Sequence, residues 1–156
     1  MTANTTRRRR RGLWACESGA ELVEFALIFP TLLLVLGGVM DLGMLFQRYE
    51  VITNAAREGA RIAVLPDYAA NVQNNVEVRV GQYLTAAGLT GTPTVLVSPS
   101  TPVVAGSQCI AIRTVTVSYA SDLIILGPVF NLFGGGAVRT LTATSAMREE
   151  IAATGC

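Results

Sequence analysis

The sequence contains no histidine and no lysine, so all 12 of its basic residues are arginine. Without histidine there is no serine-histidine or cysteine-histidine nucleophile pair and no histidine-ligated zinc. Without lysine there is no Schiff-base chemistry and no P-loop lysine. Acid-base catalysis by a pair of carboxylates remains chemically possible, but the 11 acidic residues form no shared motif. We interpret Asp122, Glu149 and Glu150 as surface charges. We predict that the protein is not an enzyme and uses neither a cofactor nor a metal.

Charge is also scarce along most of the chain. Charged residues make up 15% of the sequence and hydrophobic residues 51%, against roughly 25% and 45–50% in ordinary globular proteins. The hydrophobic residues concentrate in an uncharged run of 16 residues, 25–40, which reaches Phe46 if Asp41 is tolerated. As a helix, residues 25–46 would be about 33 Å long, and the hydrocarbon core of a bilayer is about 30 Å thick. We therefore predict a transmembrane helix over residues 20–46.

Five of the 12 arginines form one cluster at residues 7–11. Such a cluster can bind nucleic acid, remain a solvated tail, or stay in the cytoplasm as the flank of a membrane anchor. Nucleic-acid binding would need more basic surface or interleaved aromatic residues, and only Trp14 lies close by. The apolar run directly downstream favours the third interpretation. We expect a single-pass membrane protein with a cytoplasmic N-terminus, an extracytoplasmic C-terminal part, contact with membrane lipid and no nucleic-acid partner.

Two motifs carry a resemblance to a known family. Gly19 is followed after four residues by Glu24 and Phe25 and then at once by the hydrophobic helix, and this arrangement resembles the type IV prepilins of the Tad/Flp class. Residues 54–61 have the order that is typical of TadE-like pseudopilins, and the C-terminal region, residues 110–150, is also similar to that family. The residues of the second motif that we assign to helix packing are Asn54, Ala55, Ala56, Arg57, Gly59, Ala60 and Arg61.

The resemblance implies that a membrane prepilin peptidase cuts the chain after Gly19, so that Ala20 becomes the new N-terminus. The leader, residues 1–19, has five arginines and Glu17 and a net charge of +4, whereas the remainder has seven arginines and 10 acids and a net charge of −3. In related pilins the glutamate neutralises the N-terminal amine of a neighbouring subunit. The resemblance therefore assigns Glu24, with Phe25 beside it, to assembly.

The resemblance also implies a function and a set of partners. The protein would be a minor pilin, or pseudopilin, that helps to assemble a Tad/Flp type IV pilus at the bacterial inner membrane for surface adhesion and biofilm formation. Its partners would be the prepilin peptidase, other minor and major pilins and the inner-membrane assembly platform. The chain is too long beyond its helix to resemble the small major Flp pilin. The alternative is an uncleaved, signal-anchored envelope protein with a small extracytoplasmic binding domain.

The part beyond the membrane, residues 47–156, is predicted to form a head of pilin-like α+β class. Its first element is an amphipathic helix over residues 47–65, in which small and apolar residues recur at spacings of three and four from Val51 to Ala63. Charged residues occupy the opposite face. This stripe either packs inside the head or contacts a neighbouring helix in a filament. The same stripe can also serve both purposes.

A second helix is predicted over about 68–87, with Asp67 as its cap and Gly88 at its end. Residues 98–107 and 122–136 are predicted as loops. The second loop is apolar, and it either folds onto the core of the sheet or presents an apolar patch to another pilin or to the assembly platform. Alternating hydrophobicity predicts the strands of a small antiparallel sheet at about 94–98, 108–119 and 138–147.

The three cysteines are placed so that cleavage would remove one of them. Cys16 belongs to the leader, whereas Cys109 and Cys156 remain as an even pair on the extracytoplasmic side, where a disulfide can persist. A bridge between these two cysteines would tie the C-terminus to the sheet, much as other pilins hold their C-terminal loops.

Overall fold

The fold has the predicted α+β class, with a long N-terminal helix, a second helix and a small antiparallel sheet. The computed structural model describes residues 17–105 and 108–149. The chain divides between Leu36 and Gly37 into two compact units. The elements in chain order are α1 (Glu17–Ala63), a 3-10 helix (Pro66–Asn71), α2 (Val72–Ala86), β1 (Thr94–Val97), β2 (Thr101–Ala105), β3 (Gln108–Asp122), α3 (Gly127–Leu132) and β4 (Val138–Arg148).

The first unit contains the helical residues 17–36 of α1. Every side chain from residue 19 to residue 36 is exposed, although most of these residues are leucine, isoleucine, valine or phenylalanine. Pro30 lies inside the helix. α1 is long and apolar enough to cross a membrane.

α1 ends at Ala63, two residues before the predicted end. Leu65 has an extended backbone, with φ −78° and ψ 133°, because the ring of Pro66 disfavours helical geometry in the residue before it. The amide of Leu65 still donates to the carbonyl of Ile62 at 3.2 Å. The proline therefore sets the end of α1.

The second helix begins later than predicted. Residues 66–71 form a 3-10 helix, so α2 starts at Val72 and not near residue 68. Asp67 lies in the first turn of the 3-10 helix, and no side-chain hydrogen bond caps that helix or α2. Pro66 occupies the first turn of the 3-10 helix, where its missing N–H has no partner to lose.

Gly88 lies directly beyond the C-terminal end of α2. Its φ is +81°, a conformation that glycine adopts without steric cost. The amide of Leu89 then donates to the carbonyl of Leu84 at 2.9 Å, which satisfies one of the carbonyls left free at the end of a helix. The chain can therefore turn from α2 towards β1 directly after Ala87.

β3 is the central strand of the sheet, and all of its pairings are antiparallel. β4 pairs with one edge of β3, from Ile112 opposite Arg148 to Asp122 opposite Val138. β1 and β2 pair one after the other with the opposite edge. The position of every other strand therefore depends on where β3 lies.

Two elements occupy segments that were predicted as loops. β2 lies in the first of them, where Pro102 argues against a strand in the sequence. β2 pairs only with β3 among the described strands, and proline is tolerated on such an edge strand. α3 lies in the second segment, and its six residues are too few for helical periodicity to reveal.

The second unit has a hydrophobic core between α1, α2 and one face of the sheet. The small and apolar stripe of α1 faces this core, which supports the first interpretation of the stripe, packing inside the head. Each fully buried valine, leucine or isoleucine contributes about 1.5–3 kcal/mol relative to an exposed one. The core residues are Ile52, Ala55, Ala56, Ala60, Ile62 and Ala63 of α1, Val76, Val80 and Leu84 of α2, and Val95, Val115, Val117, Tyr119 and Ala143 of the sheet.

Gly59 lies where α1, α2 and β3 come together. A Cβ atom at this position would lie 2.9 Å from Val80 Cγ2, 3.1 Å from Val76 Cγ1 and 3.3 Å from Val115 Cγ1. These distances are shorter than ordinary carbon contacts of about 3.5–4.0 Å. The absence of a side chain at Gly59 therefore permits the close packing of three elements.

We expect Gly59→Leu to lower the free energy of unfolding by about 1–3 kcal/mol, because the added atoms overpack this junction. Gly81→Leu is the matched control, since a Cβ at Gly81 in α2 meets nothing within 4 Å. That control should be neutral or stabilising, because leucine is the better helix former. Denaturant unfolding followed by circular dichroism measures both. Equal stability of the two variants would contradict close packing at Gly59.

Candidate functional site

The residues predicted to take part in cleavage and assembly lie in the first turns of α1. Gly19 and Ala20 are helical, and a Cβ at Gly19 would meet nothing within 4 Å. Glu24 and Phe25 are exposed, and the Phe25 ring stacks on Phe29 with centroids 5.1 Å apart. These side chains are therefore open to a second molecule.

The motif at residues 54–61 is divided between two faces of α1. Its small residues face the core: Ala55, Ala56 and Ala60 have no exposed surface, and Gly59 is buried. Its polar residues face outwards, because helical geometry places them on the other side of the axis. The exposed members are Asn54, Arg57 and Arg61.

Glu58 connects the motif to α2 through two ion pairs. Its carboxylate accepts hydrogen bonds from Arg61, one turn further along α1, and from Arg79 of α2. The shortest nitrogen-oxygen distances are 3.2 Å to Arg61 and 2.8 Å to Arg79. Arg61 thus has a partner within its own chain, and Glu58 ties the two helices together at the edge of the core.

Asp41 makes the contact in α1 that the sequence prediction missed. It is 1% exposed, and its carboxylate accepts four hydrogen bonds from the backbone amides of Ile124, Ile125 and Leu126. The nitrogen-oxygen distances run from 2.7 Å for Leu126 to 3.2 Å for Ile124. These amides belong to the turn between β3 and α3. Hydrogen bonds to a charged group are worth about 1.5–3 kcal/mol each, so Asp41 fixes this turn against α1.

Two glycines of α1 make room for the same turn. A Cβ atom at Gly37 would overlap the side chain of Ile125, and one at Gly38 would lie 3.6 Å from Leu126 Cδ1. Gly37 therefore permits the Ile125 side chain to lie directly against the backbone of α1. Close approach at small residues is how helices accept neighbours inside a membrane.

Arg48 supports the turn from its other end. Its Nη1 atom donates to the hydroxyl of Ser121 at 2.5 Å and to the carbonyl of Asp122 at 3.2 Å. Ser121 is almost completely buried. Asp122 is exposed, in agreement with its interpretation as a surface charge. Together with Asp41, Arg48 holds residues 121–126 along two to three turns of α1.

The signal for this site is present in the sequence. Asp41 is the single charged residue between Glu24 and Arg48, and a carboxylate in an apolar helix costs about 2.5–3.5 kcal/mol at the bilayer centre unless it is paired. Its burial therefore requires donors. The sequence does not identify them, because they are backbone amides, which every residue except proline carries.

Glu149 is not a free surface charge, in contrast to its interpretation from the sequence. Its carboxylate accepts a hydrogen bond from Arg113 Nε at 2.7 Å and one from the hydroxyl of Ser100 at 2.9 Å. The ion pair is mostly buried, and it joins the end of β4 to β3. Glu150 lies outside the described residues.

Cys109 is disulfide-bonded. It lies in β3, which agrees with a role in fixing the sheet. Its predicted partner, Cys156, lies outside the described residues, as does Cys16 of the leader. The pairing of Cys109 with Cys156 therefore stays a prediction.

The described residues, 17–105 and 108–149, include no group of three histidine, cysteine, aspartate or glutamate side chains that would hold a metal. What the arrangement offers instead is an exposed apolar helix that continues into the core of a small α+β unit.

A model of the TadE-like protein family matches residues 19–61 of this chain. The match confirms the resemblance to the TadE-like family over these residues. It includes Gly19, Glu24 and the motif at residues 54–61, and also Asp41. No curated protein and no solved structure matches the chain significantly.

We expect Asp41→Ala to release the turn between β3 and α3, because three amides lose their acceptor. The local destabilisation should be at least about 3 kcal/mol, since each unsatisfied buried amide costs about 1–3 kcal/mol. Hydrogen-deuterium exchange of the detergent-extracted protein should show faster exchange at residues 124–126. Peptides from β3 and β4 report whether the sheet is still folded.

Asp67→Ala is the matched control, because Asp67 is exposed and makes no capping hydrogen bond. It should leave exchange at residues 124–126 unchanged. Unchanged protection in Asp41→Ala would mean that the carboxylate does not hold the turn.

Proposed function

We propose that this protein is a minor pilin, or pseudopilin, of a Tad/Flp type IV pilus and that it takes part in pilus assembly for surface adhesion. A prepilin peptidase cleaves it after Gly19, and the protein is otherwise without enzymatic activity. The observation that carries the proposal is the family match over residues 19–61. That stretch contains the cleavage position, the glutamate, the apolar run and the helix motif in one continuous helix.

The exposed first unit supports a role in assembly. Between residues 19 and 36 no side chain is buried, and exposed apolar surface of this extent marks a contact with lipid or with other proteins. A helix that first resides in the bilayer and then packs among other pilin helices meets an apolar environment in both places. The same surface thus serves the membrane-anchored and the assembled state.

Glu24 determines how neighbouring subunits align during assembly. A carboxylate at the edge of an apolar run raises the free energy of the membrane-inserted helix unless a cation pairs with it. Cleavage after Gly19 creates an ammonium group on Ala20, and a neighbouring subunit brings such a group to Glu24. Two unit charges 4 Å apart attract by about 4 kcal/mol at an effective dielectric constant of about 20. The pairing therefore favours one register between neighbouring helices.

The outer face of the motif is the second proposed contact with other pilins. The small residues of the motif are occupied by the core of their own chain, so they are not available to a partner. Asn54 and Arg57 remain exposed beside a groove that runs along α1. The residues lining this groove are Phe46, Tyr49, Glu50, Thr53, Asn54 and Arg57.

In this proposal the protein resides in the bacterial inner membrane with its N-terminus in the cytoplasm and residues 47–156 on the extracytoplasmic side. The arginine cluster at residues 7–11 supports this orientation, because basic flanks stay cytoplasmic. Membrane lipid surrounds the exposed apolar part of α1, residues 25–36, before assembly. The protein partners are the prepilin peptidase, other minor and major pilins and the inner-membrane platform.

Gly19→Val should block processing, because the peptidase requires a small residue at the cleavage position. Gly43→Val is the control, since Gly43 lies in the same helix and also has open space around its Cβ position. Mass spectrometry of the membrane-extracted protein should find Ala20 at the N-terminus of the wild type and of Gly43→Val, and the leader retained in Gly19→Val. A retained leader in all three proteins would instead support an uncleaved envelope protein, and Ala20 at the N-terminus of Gly19→Val would contradict the need for a small residue at the cut.

Glu24→Ala should be cleaved normally and should co-purify poorly with the other pilins, because the ammonium group of the neighbour loses its counter-charge. Glu21→Ala removes an exposed acid one turn away and should behave as the wild type. The N-terminus and the co-purified pilins are measured on the same membrane extract. Normal co-purification of Glu24→Ala would refute the pairing.

A further inference from the structure

Residues 123–138, here called the apolar segment, connect β3 to β4 through α3 and contain no charged residue. Leu123 carries the one buried side chain of the segment. Leu132 and Phe133 are each 82% exposed, more than any other large hydrophobic residue described. The remaining exposed large hydrophobic residues of the segment are Ile124, Ile125, Phe130 and Val138.

The apolar segment begins beside the apolar run of α1. Arg48 contacts Ser121 and Asp122, Asp41 contacts residues 124–126, and Gly37 lies against Ile125. As the chain continues from the end of β3, the α1 residue that it contacts therefore changes from Arg48 to Asp41 and then to Gly37, towards the N-terminal end of α1. Arg48 and Gly37 are separated by roughly 16 Å along a helix. The segment thus starts at the level of residues 37–41.

That level belongs to the part of α1 that is needed to cross a bilayer. The uncharged residues 25–36 alone would span about 18 Å as a helix, and the hydrocarbon core is about 30 Å thick. The helix reaches that length only if residues 37–44 also lie within the core. Asp41 and the turn that it holds are then at the depth of the lipid chains.

Several backbone amides of the apolar segment donate hydrogen bonds within the protein, as lipid requires. Polypeptide without regular structure is tolerated at membrane depth only when its polar groups are satisfied within the protein. Asp41 accepts from the amides of residues 124–126, and the amide of Leu123 donates to the carbonyl of Ala137 at 2.9 Å. Around the end of α3, the amides of Phe133, Gly134 and Gly135 donate to carbonyls of the preceding turn.

Charged side chains stand at the border of the apolar segment. Arg139 follows it directly, and its guanidinium lies 5.8 Å from the centroid of the Phe130 ring. Arg48 and the exposed Asp122 stand at its other end. Arginines that flank an apolar surface reach the phosphate groups of lipids while their stems stay in the apolar layer.

We propose that the apolar segment is a second membrane-contacting element, which enters the lipid beside α1 on the side of the C-terminal domain, with Leu132 and Phe133 as its most exposed apolar side chains. This inference rests on the proposed membrane anchoring by α1. Its partner is the lipid itself, because the segment starts at a level of α1 that the bilayer occupies. A second copy of the chain covering the segment is the alternative outcome of the test.

The test uses the full chain in vesicles of phosphatidylcholine and phosphatidylglycerol whose acyl chains are brominated, since bromine quenches tryptophan only on contact. Trp14→Phe removes the natural tryptophan in every sample. A single tryptophan is then introduced by Phe133→Trp in the apolar segment, by Leu34→Trp in α1, or by Leu96→Trp in β1. Leu96 is the matched control, because it is a similarly exposed apolar residue outside the segment.

We expect Phe133→Trp to lose most of its fluorescence in brominated vesicles, as Leu34→Trp does, while Leu96→Trp keeps its fluorescence. If Leu34→Trp is quenched and Phe133→Trp is not, the inference is overturned and the anchoring by α1 stands. Blue-shifted emission of Phe133→Trp without quenching would identify a protein cover and would also overturn it. If Leu34→Trp itself is not quenched, the membrane anchoring and the inference both fail.

Discussion

The contact between the carboxylate of Asp41 and the backbone amides of Ile124, Ile125 and Leu126 is the interaction on which the second unit depends. It joins residues that are 83 to 85 positions apart in the sequence. Because the turn directly follows β3, and because β1, β2 and β4 all pair with β3, this contact fixes the sheet along α1. Burial of apolar side chains is non-directional, so it restricts sliding of the sheet along α1 only weakly. Four hydrogen bonds with defined distances and angles restrict this movement strongly. The hydrogen bonds of Asp41 therefore determine the position of the sheet along α1, which burial of apolar side chains alone does not determine.

α1 meets two different requirements with its two faces. The motif at residues 54–61 places alanines and Gly59 against α2 and β3, so close packing inside the chain uses the small residues. The same motif leaves Asn54 and Arg57 on the outside. Helical periodicity thus separates the residues that pack in the core from those that stay exposed, and a substitution on one face need not disturb the other. The TadE-like match ends at residue 61, before the elements that α1 packs against. Asp41 therefore lies within the matched region, whereas the amides that donate to Asp41 lie outside it.

Much of the fold could be predicted from the sequence because hydrophobic periodicity reports burial. The alternation of β3 and the small-residue stripe of α1 correspond to the core found in the structure, and Gly88 marks the end of α2. The elements that the sequence did not reveal have physical reasons. Pro102 conceals β2, which tolerates proline because it lies at an edge, and α3 is shorter than two helical turns. Asp41 stands out as a lone charge, but its donors are backbone amides, and only the tertiary structure brings these donors to it.

The contact of the Asp41 carboxylate with the turn before α3 is the central feature of the structure. Solid-state NMR in lipid bilayers tests it directly, with the side-chain carboxyl carbon of aspartate labelled with carbon-13 and isoleucine amides with nitrogen-15. We expect a measurable through-space dipolar coupling between the Asp41 carboxyl carbon and the amides of Ile124 and Ile125, because the oxygen-nitrogen distances are 3.0 to 3.2 Å. The coupling should be lost in Asp41→Ala, which removes the labelled carboxyl. Absence of the coupling in the wild-type protein would contradict the account.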